Sequence, residues 1–225
     1  MLKRAVIFAN GELRDGGRIK SQIESDDFLI AVDGGHKHMK SLDLRPNLVI
    51  GDLDSIQKND VQYFQEAGVE LSRFSPEKNE TDLELALVEA VIRGYKSFLI
   101  VAGLGGQLDQ TLGNLALLKL PALANCQIKM DDGCVELWIL RAGKKPDELQ
   151  ILGGKGEVVS LLADGCTAKG ITTQGLKYPL AGEYLLPYQT RGISNEMLGS
   201  IANVSLAEGD LNVIHTRNQK KCVKK

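Results

Sequence analysis

Two aspartates stand two residues apart in the segment Gly51-Asp52-Leu53-Asp54-Ser55, directly after the apolar run Leu48-Val49-Ile50. In an extended backbone, side chains at positions i and i+2 lie on the same side, so the two carboxylates would face the same way and repel each other. A divalent cation between them would remove that repulsion. Mg²⁺ prefers oxygen ligands, and it often takes one or two carboxylates together with water and phosphate oxygens. The segment therefore predicts a magnesium site.

Glycines, acids and amides also follow the ends of other apolar runs. They are Asn10-Gly11 after residues 5–9, Asp33-Gly34-Gly35 after residues 28–32, and Gly103-Leu104-Gly105-Gly106-Gln107-Leu108-Asp109 after residues 97–102. The carboxyl ends of parallel strands lie along one edge of a sheet, and open sheets of this kind bind ligands there. We therefore expect these loops to converge with Asp52 and Asp54 on one ligand site.

The segment Thr81-Asp82-Leu83-Glu84 fits two interpretations. It has the form of a helix capping box, with Thr81 as N-cap and Asp82 in the first turn, where the helix dipole favours an acid. That role alone would explain Asp82. The helix would follow the strand predicted at 69–74, however, so Asp82 also falls at the ligand edge, with Lys78 just upstream.

The elements that must position these residues change character along the chain. Apolar strand-like runs alternate with helix-compatible stretches up to about residue 120, which predicts βαβ units and a mostly parallel, Rossmann-like α/β sheet. Beyond Pro121, short strands punctuated by Gly, Pro, Asn and Asp predict an all-β part, a β-sandwich or a small barrel. We place the α/β domain at 1–142, the β domain at 143–218 and a polar tail at 219–225.

The bulk composition excludes several classes of protein. A net charge of −2 over 225 residues leaves no basic footprint for nucleic acid. No apolar stretch is long enough to span a membrane, and the short run after Met1 is too short for a signal-peptide core. A cytoplasmic protein is expected. The four cysteines show no CxxC spacing, which favours buried small apolar residues or free thiols over a disulfide framework or a zinc site.

Other candidate groups carry less information. His36 and His38 are two apart on a predicted helix and so face different directions, which makes a poor metal pair. The Gly103–Asp109 loop fits neither a dinucleotide fingerprint nor a Walker A loop. Ser194 and Asn195 interrupt a β pattern, as a plain turn or as part of a site.

Taken in order, these motifs resemble those of the thiamine pyrophosphokinase family, over about residues 5–216. The matching set is Asn10-Gly11, Asp33-Gly34-Gly35, the Asp52/Asp54 segment, Lys78 with Thr81-Asp82, Gly105-Gly106 with Asp109, and Ser194-Asn195. The resemblance implies a catalytic α/β domain, a C-terminal β-sandwich, and a homodimer with thiamine sites between subunits. The implied reaction is ATP plus thiamine giving AMP and thiamine diphosphate, with Mg²⁺.

The resemblance also implies roles for single residues. Asp52, Asp54 and Asp82 would hold the metal, Asp109 would support them, and Asp33 would complete the acidic shell. Nucleotide contacts would come from Asn10, Gly34, Gly35, Lys78, Thr81 and Gln107, and thiamine contacts from Ser194 and Asn195. Gln107 and Gln110 depart from the Arg and His that many relatives carry there, which removes a fixed cation that could grip phosphate.

Two other functions remain open from the residues alone. One is a different Mg²⁺-dependent enzyme, such as a glycosyltransferase with a DxD pair or a phosphohydrolase. The other is a regulator that binds thiamine or a nucleotide without chemistry. The number of carboxylates disfavours the regulator, because a simple binder of an anionic ligand needs fewer of them.

Overall fold

A computed structural model of the chain describes residues 3–51, 58–74, 79–143, 145–218 and 222. The chain divides into two compact units, Met1–Gly133 and Cys134–Lys225. The sequence places the boundary later, after residue 142. The strand Val135–Ala142 belongs to the second unit because it pairs along its whole length with the strand Gly209–Thr216.

Over its described residues, the first unit contains six strands and five α-helices in alternation. The strands are β1 (Arg4–Phe8), β2 (Phe28–Val32), β3 (Leu48–Gly51), β4 (Glu70–Arg73), β5 (Ser97–Val101) and β6 (Gln127–Asp131). The helices are α1 (Gly16–Gln22), α2 (Gly35–Ser41), α3 (Lys58–Glu66), α4 (Asp82–Ile92) and α5 (Leu108–Leu117), with a short 3-10 helix at Pro121–Leu123. The predicted α/β alternation is confirmed.

All strand pairs in this unit are parallel, in the order β6-β5-β1-β2-β3-β4. Its central strands are apolar and buried, with Ile7, Ile30 and Ile100 fully enclosed. Such runs are what a sheet covered by helices on both faces requires. The α/β class could be predicted from the sequence because these continuous apolar runs are visible in it.

The strand order creates a break in the direction of winding at β1. From β1 the chain passes through β2, β3 and β4 on one side, and then crosses to β5 and β6 on the other. Open α/β sheets form their ligand crevice at such a break, outside the carboxyl ends of the strands, which here are those of β1 and β5. This position in the sheet is where a ligand is expected.

The second unit consists of antiparallel sheets. Its strands are β7 (Val135–Ala142), β8 (Asp147–Leu152), β9 (Val158–Ala163), β10 (Ala168–Gln174), β11 (Ala181–Leu185), β12 (Asn195–Glu196), β13 (Ile201–Leu206) and β14 (Gly209–Thr216). They form the orders β12-β9-β14-β7 and β11-β10-β13-β8. The two sets of strands share one buried core, to which β9 and β14 contribute Val159 and Val213 and to which β10 and β13 contribute Ile171 and Val204. The predicted all-β part is confirmed.

A disulfide joins Cys134 to Cys222, across a sequence separation of 88. The expectation that these cysteines are free thiols is wrong for this pair. Among the described residues, Cys126 and Cys166 take part in no disulfide. Spacing could not reveal the pair, because β7 and β14 bring the two positions together only after the sheet has formed. Beside the bridge, the backbone N–H of Arg217 donates to the carbonyl of Cys134 at 3.0 Å.

Reduction of this disulfide is expected to lower the free energy of unfolding by about 2–4 kcal/mol, because a long loop is no longer closed in the unfolded chain. The measurement is chemical unfolding of wild type and Cys134→Ser, with and without reductant. Cys166→Ser is the matched control, since Cys166 is an exposed free thiol. Equal stability of reduced and oxidised wild type would contradict the bridge.

Within the described part of the chain, no helix is both long enough and apolar enough to cross a membrane.

Candidate active site

A cavity of about 430 Å³ lies at the crevice beside β1. Its walls come from the loops after β1, β2 and β5 and from the start of α4. Five of the residues to which the resemblance gives a single-residue role line it, namely Asn10, Asp33, Thr81, Asp82 and Gln107. The structure therefore brings together side chains that are separated by almost a hundred positions along the chain.

The loops after β1 and β5 are joined through their backbones at Gly11. Its N–H donates to the carbonyl of Ala102 at 2.8 Å. A Cβ at this position would lie 2.4 Å from the oxygen of Ala102 and 2.6 Å from that of Leu104. Only glycine permits this approach, and it places the neighbouring Asn10 at the cavity.

Gly34 and Gly35, which follow β2, allow the chain to pack closely against the end of β1. A Cβ on Gly35 would lie 1.9 Å from the backbone oxygen of Phe8, and one on Gly34 would lie 2.1 Å from Oδ1 of Asn10. The start of α2 therefore packs directly on the end of β1. Gly34 and Gly35 do not line the cavity, and their nucleotide-binding role stays a prediction.

Asp33 adopts an uncommon backbone conformation, with φ at 49°. A left-handed conformation costs a non-glycine residue about 1–2 kcal/mol, so the surrounding structure must hold it in place. Its carboxylate and that of Asp82 both approach Gly51, the last residue of β3. A Cβ on Gly51 would lie 3.2 Å from Oδ1 of Asp33 and 3.7 Å from Oδ2 of Asp82.

Asp52 and Asp54 follow Gly51 directly in the sequence, but both lie outside the described residues, as does Lys78. Among the described residues, no group of three or more His, Cys, Asp or Glu side chains is placed to hold a metal ion. Asp33 and Asp82, which both approach Gly51, offer hard oxygen donors, which suit Mg²⁺ and not a soft metal. The described donors thus fit the ion without completing its shell.

Both interpretations of the Thr81 segment apply to the start of α4. Thr81 is the N-cap, and its Oγ1 accepts a hydrogen bond from the N–H of Glu84 at 3.3 Å. The predicted cap is confirmed, and Asp82 in the first turn also lines the cavity. The capping role and the cavity position of Asp82 are therefore compatible.

The far end of α4 is anchored to the sheet by Arg93. Its guanidinium donates to both carboxylate oxygens of Glu70, at 2.6 and 2.8 Å, and to Glu89 at 2.8 Å. The hydrogen bonds from Arg93 hold the pKa of the Glu70 carboxyl below its ordinary value. These hydrogen bonds join the C-terminal end of α4 to β4.

Asp109 lies in the first turn of α5 and does not line the cavity. It is exposed, and its Oδ1 accepts a hydrogen bond from the N–H of Gln110 at 2.9 Å. Its supporting role stays a prediction.

Two amides that sequence reasoning did not select, Gln110 and Asn114, line the cavity together with Gln107. These three positions are spaced i, i+3 and i+7, which marks one face of a helix. That spacing is the signal that could have found them. Within the described residues, no lysine or arginine lines the cavity.

Ser194 and Asn195 lie in the second unit. Ser194 directly precedes β12, and Asn195 is its first residue. Ser194 has φ at 61°, and its N–H donates to Oγ of Ser160 at 3.0 Å. The Asn195 side chain accepts from the N–H of Tyr178 at 3.0 Å and donates to its carbonyl at 2.7 Å. These bonds tie the segment to residues that are distant in the sequence, and thiamine contact stays a prediction.

Two family profiles match the chain along most of its length. One, described as "Thiamin pyrophosphokinase, catalytic domain", matches residues 19–130. The other, described as "Thiamin pyrophosphokinase, vitamin B1 binding domain", matches residues 145–211. The chain belongs to the thiamin pyrophosphokinase family. The family resemblance is therefore confirmed, and with it the enzyme class, pyrophosphoryl transfer to thiamine.

Individual relatives agree with this assignment. The chain is 28% identical over 187 residues to a thiamine pyrophosphokinase of Bacillus subtilis, covering 83% of this chain and 86% of that protein. A crystal structure of the B. subtilis enzyme superposes with a TM-score of 0.82 at 25% identity, covering 96% and 100% of the two chains. Thiamin pyrophosphokinase from Candida albicans shares the fold, with a TM-score of 0.79 at 14% identity over 96% and 90%.

Proposed function

We propose that the cavity beside β1 binds ATP with Mg²⁺ and that the chain transfers its pyrophosphoryl group to the hydroxyl of thiamine, releasing AMP. The observation that carries this proposal is that Asp33 and Asp82 line one cavity at the carboxyl edge of the sheet and both approach Gly51, in a member of this family. Acids at this edge suit a cation that accompanies polyphosphate, because they would otherwise repel an anionic ligand.

Several acidic side chains would bind the ion together. Asp33 and Asp82 supply carboxylates at one end of the cavity, and Asp52 and Asp54 would add theirs directly after Gly51, with Asp109 in support. When bound, Mg²⁺ would neutralise charge that develops on the phosphates during transfer.

The other cavity wall would hold the phosphates and orient the nucleotide. Gly105 and Gly106 have φ of 77° and 74° and line the cavity just before α5 begins at Leu108. Backbone N–H groups at the start of a helix favour phosphate oxygens. Neutral amides from Asn10, Gln107 and Gln110 offer further donors, and Lys78 would supply a cation.

The second unit would provide thiamine binding. The vitamin B1 binding profile spans residues 145–211, which include Ser194 and Asn195. We propose that its two sheets form a β-sandwich and that the protein acts in the cytoplasm as a homodimer, with thiamine bound where two subunits meet. The first unit corresponds to a Rossmann-like catalytic domain.

The test is to incubate the purified chain with ATP, Mg²⁺ and thiamine and to separate the products by chromatography. We expect AMP and thiamine diphosphate in equal amounts, and none of either after chelation of the metal. Free phosphate without thiamine diphosphate would indicate a phosphohydrolase. Calorimetric binding of thiamine or ATP without AMP would indicate a regulator. Either result would overturn the proposal.

A further inference from the structure

The short helix α2 carries two histidines that reach two different loops of the candidate site. Nδ1 of His36 lies 2.8 Å from the carbonyl oxygen of Asp33, in the turn after β2. Nε2 of His38 lies 3.0 Å from the carbonyl oxygen of Gly11, in the loop after β1. The spacing of two residues, which makes a poor metal pair, suits this division, because the rings leave the helix in different directions.

We propose that His36 and His38 are positioning residues that hold these two loops in register around the cavity, an inference that rests on the proposed function. A carbonyl oxygen only accepts hydrogen bonds, so the nitrogen that faces it must donate. His36 therefore carries a proton on Nδ1, and His38 carries one on Nε2. The two rings hold opposite tautomers when neutral.

His36 stabilises the unusual conformation of Asp33. The helix N-cap is Gly34, which makes no side-chain capping bond, so the turn into α2 depends on other contacts. His36 is 3% exposed, and its ring meets that of Phe64 edge-on, with centroids 6.0 Å apart. A ring held this firmly fixes the carbonyl of Asp33, and with it the direction in which the carboxylate leaves the backbone.

His38 fixes the opposite loop to the same helix. Its partner Gly11 also donates to Ala102, so the bond ties α2 to the loops after β1 and β5 together. Asn10 precedes Gly11 and packs against Gly34. The two histidines therefore set the distance between Asn10 on one loop and Asp33 on the other.

The first test compares His36→Leu, which removes the donor, with His36→Asn, whose amide N–H lies near the former Nδ1. We expect His36→Leu to lower kcat/KM for ATP by about 10²-fold, because a misplacement of roughly 1 Å in a reacting site costs that much. His36→Asn is expected to restore most of the loss. Met39→Leu is the control, since Met39 is fully buried on the same helix outside the site.

Melting temperatures of all three variants separate positioning from loss of fold. An equal loss of kcat/KM for ATP in His36→Leu and His36→Asn, or no loss in either variant, would overturn the proposal. The same comparison is made at His38. His38→Met, which removes the donor, is expected to lower kcat/KM for ATP, and His38→Gln, which keeps an amide N–H, is expected to restore most of the loss.

A second test does not depend on activity. Long-range proton–nitrogen NMR of the labelled wild-type chain, with both rings neutral, is expected to show His36 protonated on Nδ1 and His38 on Nε2. Both rings protonated on Nε2 would overturn the inference even in an active enzyme. A wild-type chain with the expected tautomers but no thiamine diphosphate formation would contradict the proposed function instead.

Discussion

Asp82→Asn is expected to lower kcat for AMP formation by roughly 10²–10³-fold, the scale seen when one preorganised electrostatic group is lost from a reacting site. The substitution keeps the size of the side chain and one oxygen, and it removes the charge. Because Asp82 and Asp33 both approach Gly51, the charge is lost at the place where we propose the cation is held. Initial rates at saturating ATP and thiamine, over a range of Mg²⁺ concentration, measure the effect.

Glu84→Gln is the matched control for that change. Glu84 shares the first turn of α4 with Asp82 but does not line the cavity. Each substitution removes one negative charge near the helix N-terminus, so both are expected to lower stability by a similar amount, about 0.3–1 kcal/mol. A rate for Asp82→Asn no lower than that of Glu84→Gln would contradict the site assignment.

Gly35→Ala is expected to destabilise the first unit by more than about 5 kcal/mol, a loss large enough to unfold a marginally stable domain. The added Cβ would lie 1.9 Å from the backbone oxygen of Phe8, in the buried end of β1. A main-chain oxygen in the middle of the sheet cannot rotate away, so α2 would have to leave its place. Thermal and denaturant unfolding of the purified variant measure the loss.

Gly113→Ala provides the opposite expectation from the same chemical change. Gly113 lies inside α5, and a Cβ there meets nothing within 4 Å. Alanine in a helix interior is about 0.5–1 kcal/mol more favourable than glycine, so this variant is expected to be the more stable one. Equal effects of the two substitutions would show that α2 does not pack on β1 as described.

Features set by near neighbours in the chain were predictable from the sequence. Thr81 was predictable as an N-cap because the groups it bonds lie within one helical turn. The buried strands of the first unit were predictable because a parallel sheet covered on both faces needs continuous apolar runs. The edge that carries Asn10, Asp33 and Asp82 followed from the same argument, since parallel strands end on one side.

Features that depend on the phase of a helix were not predictable to the same degree. Asp109 and Gln110 are adjacent in the sequence, yet only Gln110 lines the cavity. A step of one residue turns a side chain by about 100° around the helix, so the starting point of α5 decides which of them faces inward. The motif pointed to Asp109 as a site residue, whereas the structure places the amides of Gln110 and Asn114 at the cavity wall.

Local sequence alone determined that this chain has alternating α/β elements, a later all-β part and acidic residues after its strands. Only the tertiary structure decided that Cys134 pairs with Cys222, that β7 joins the second unit, and that His36 and His38 hold two loops. Each of these features joins groups that chain topology brings together. The physical reason is that spacing along a sequence sets local geometry, whereas the order of strands in a sheet sets which distant residues meet.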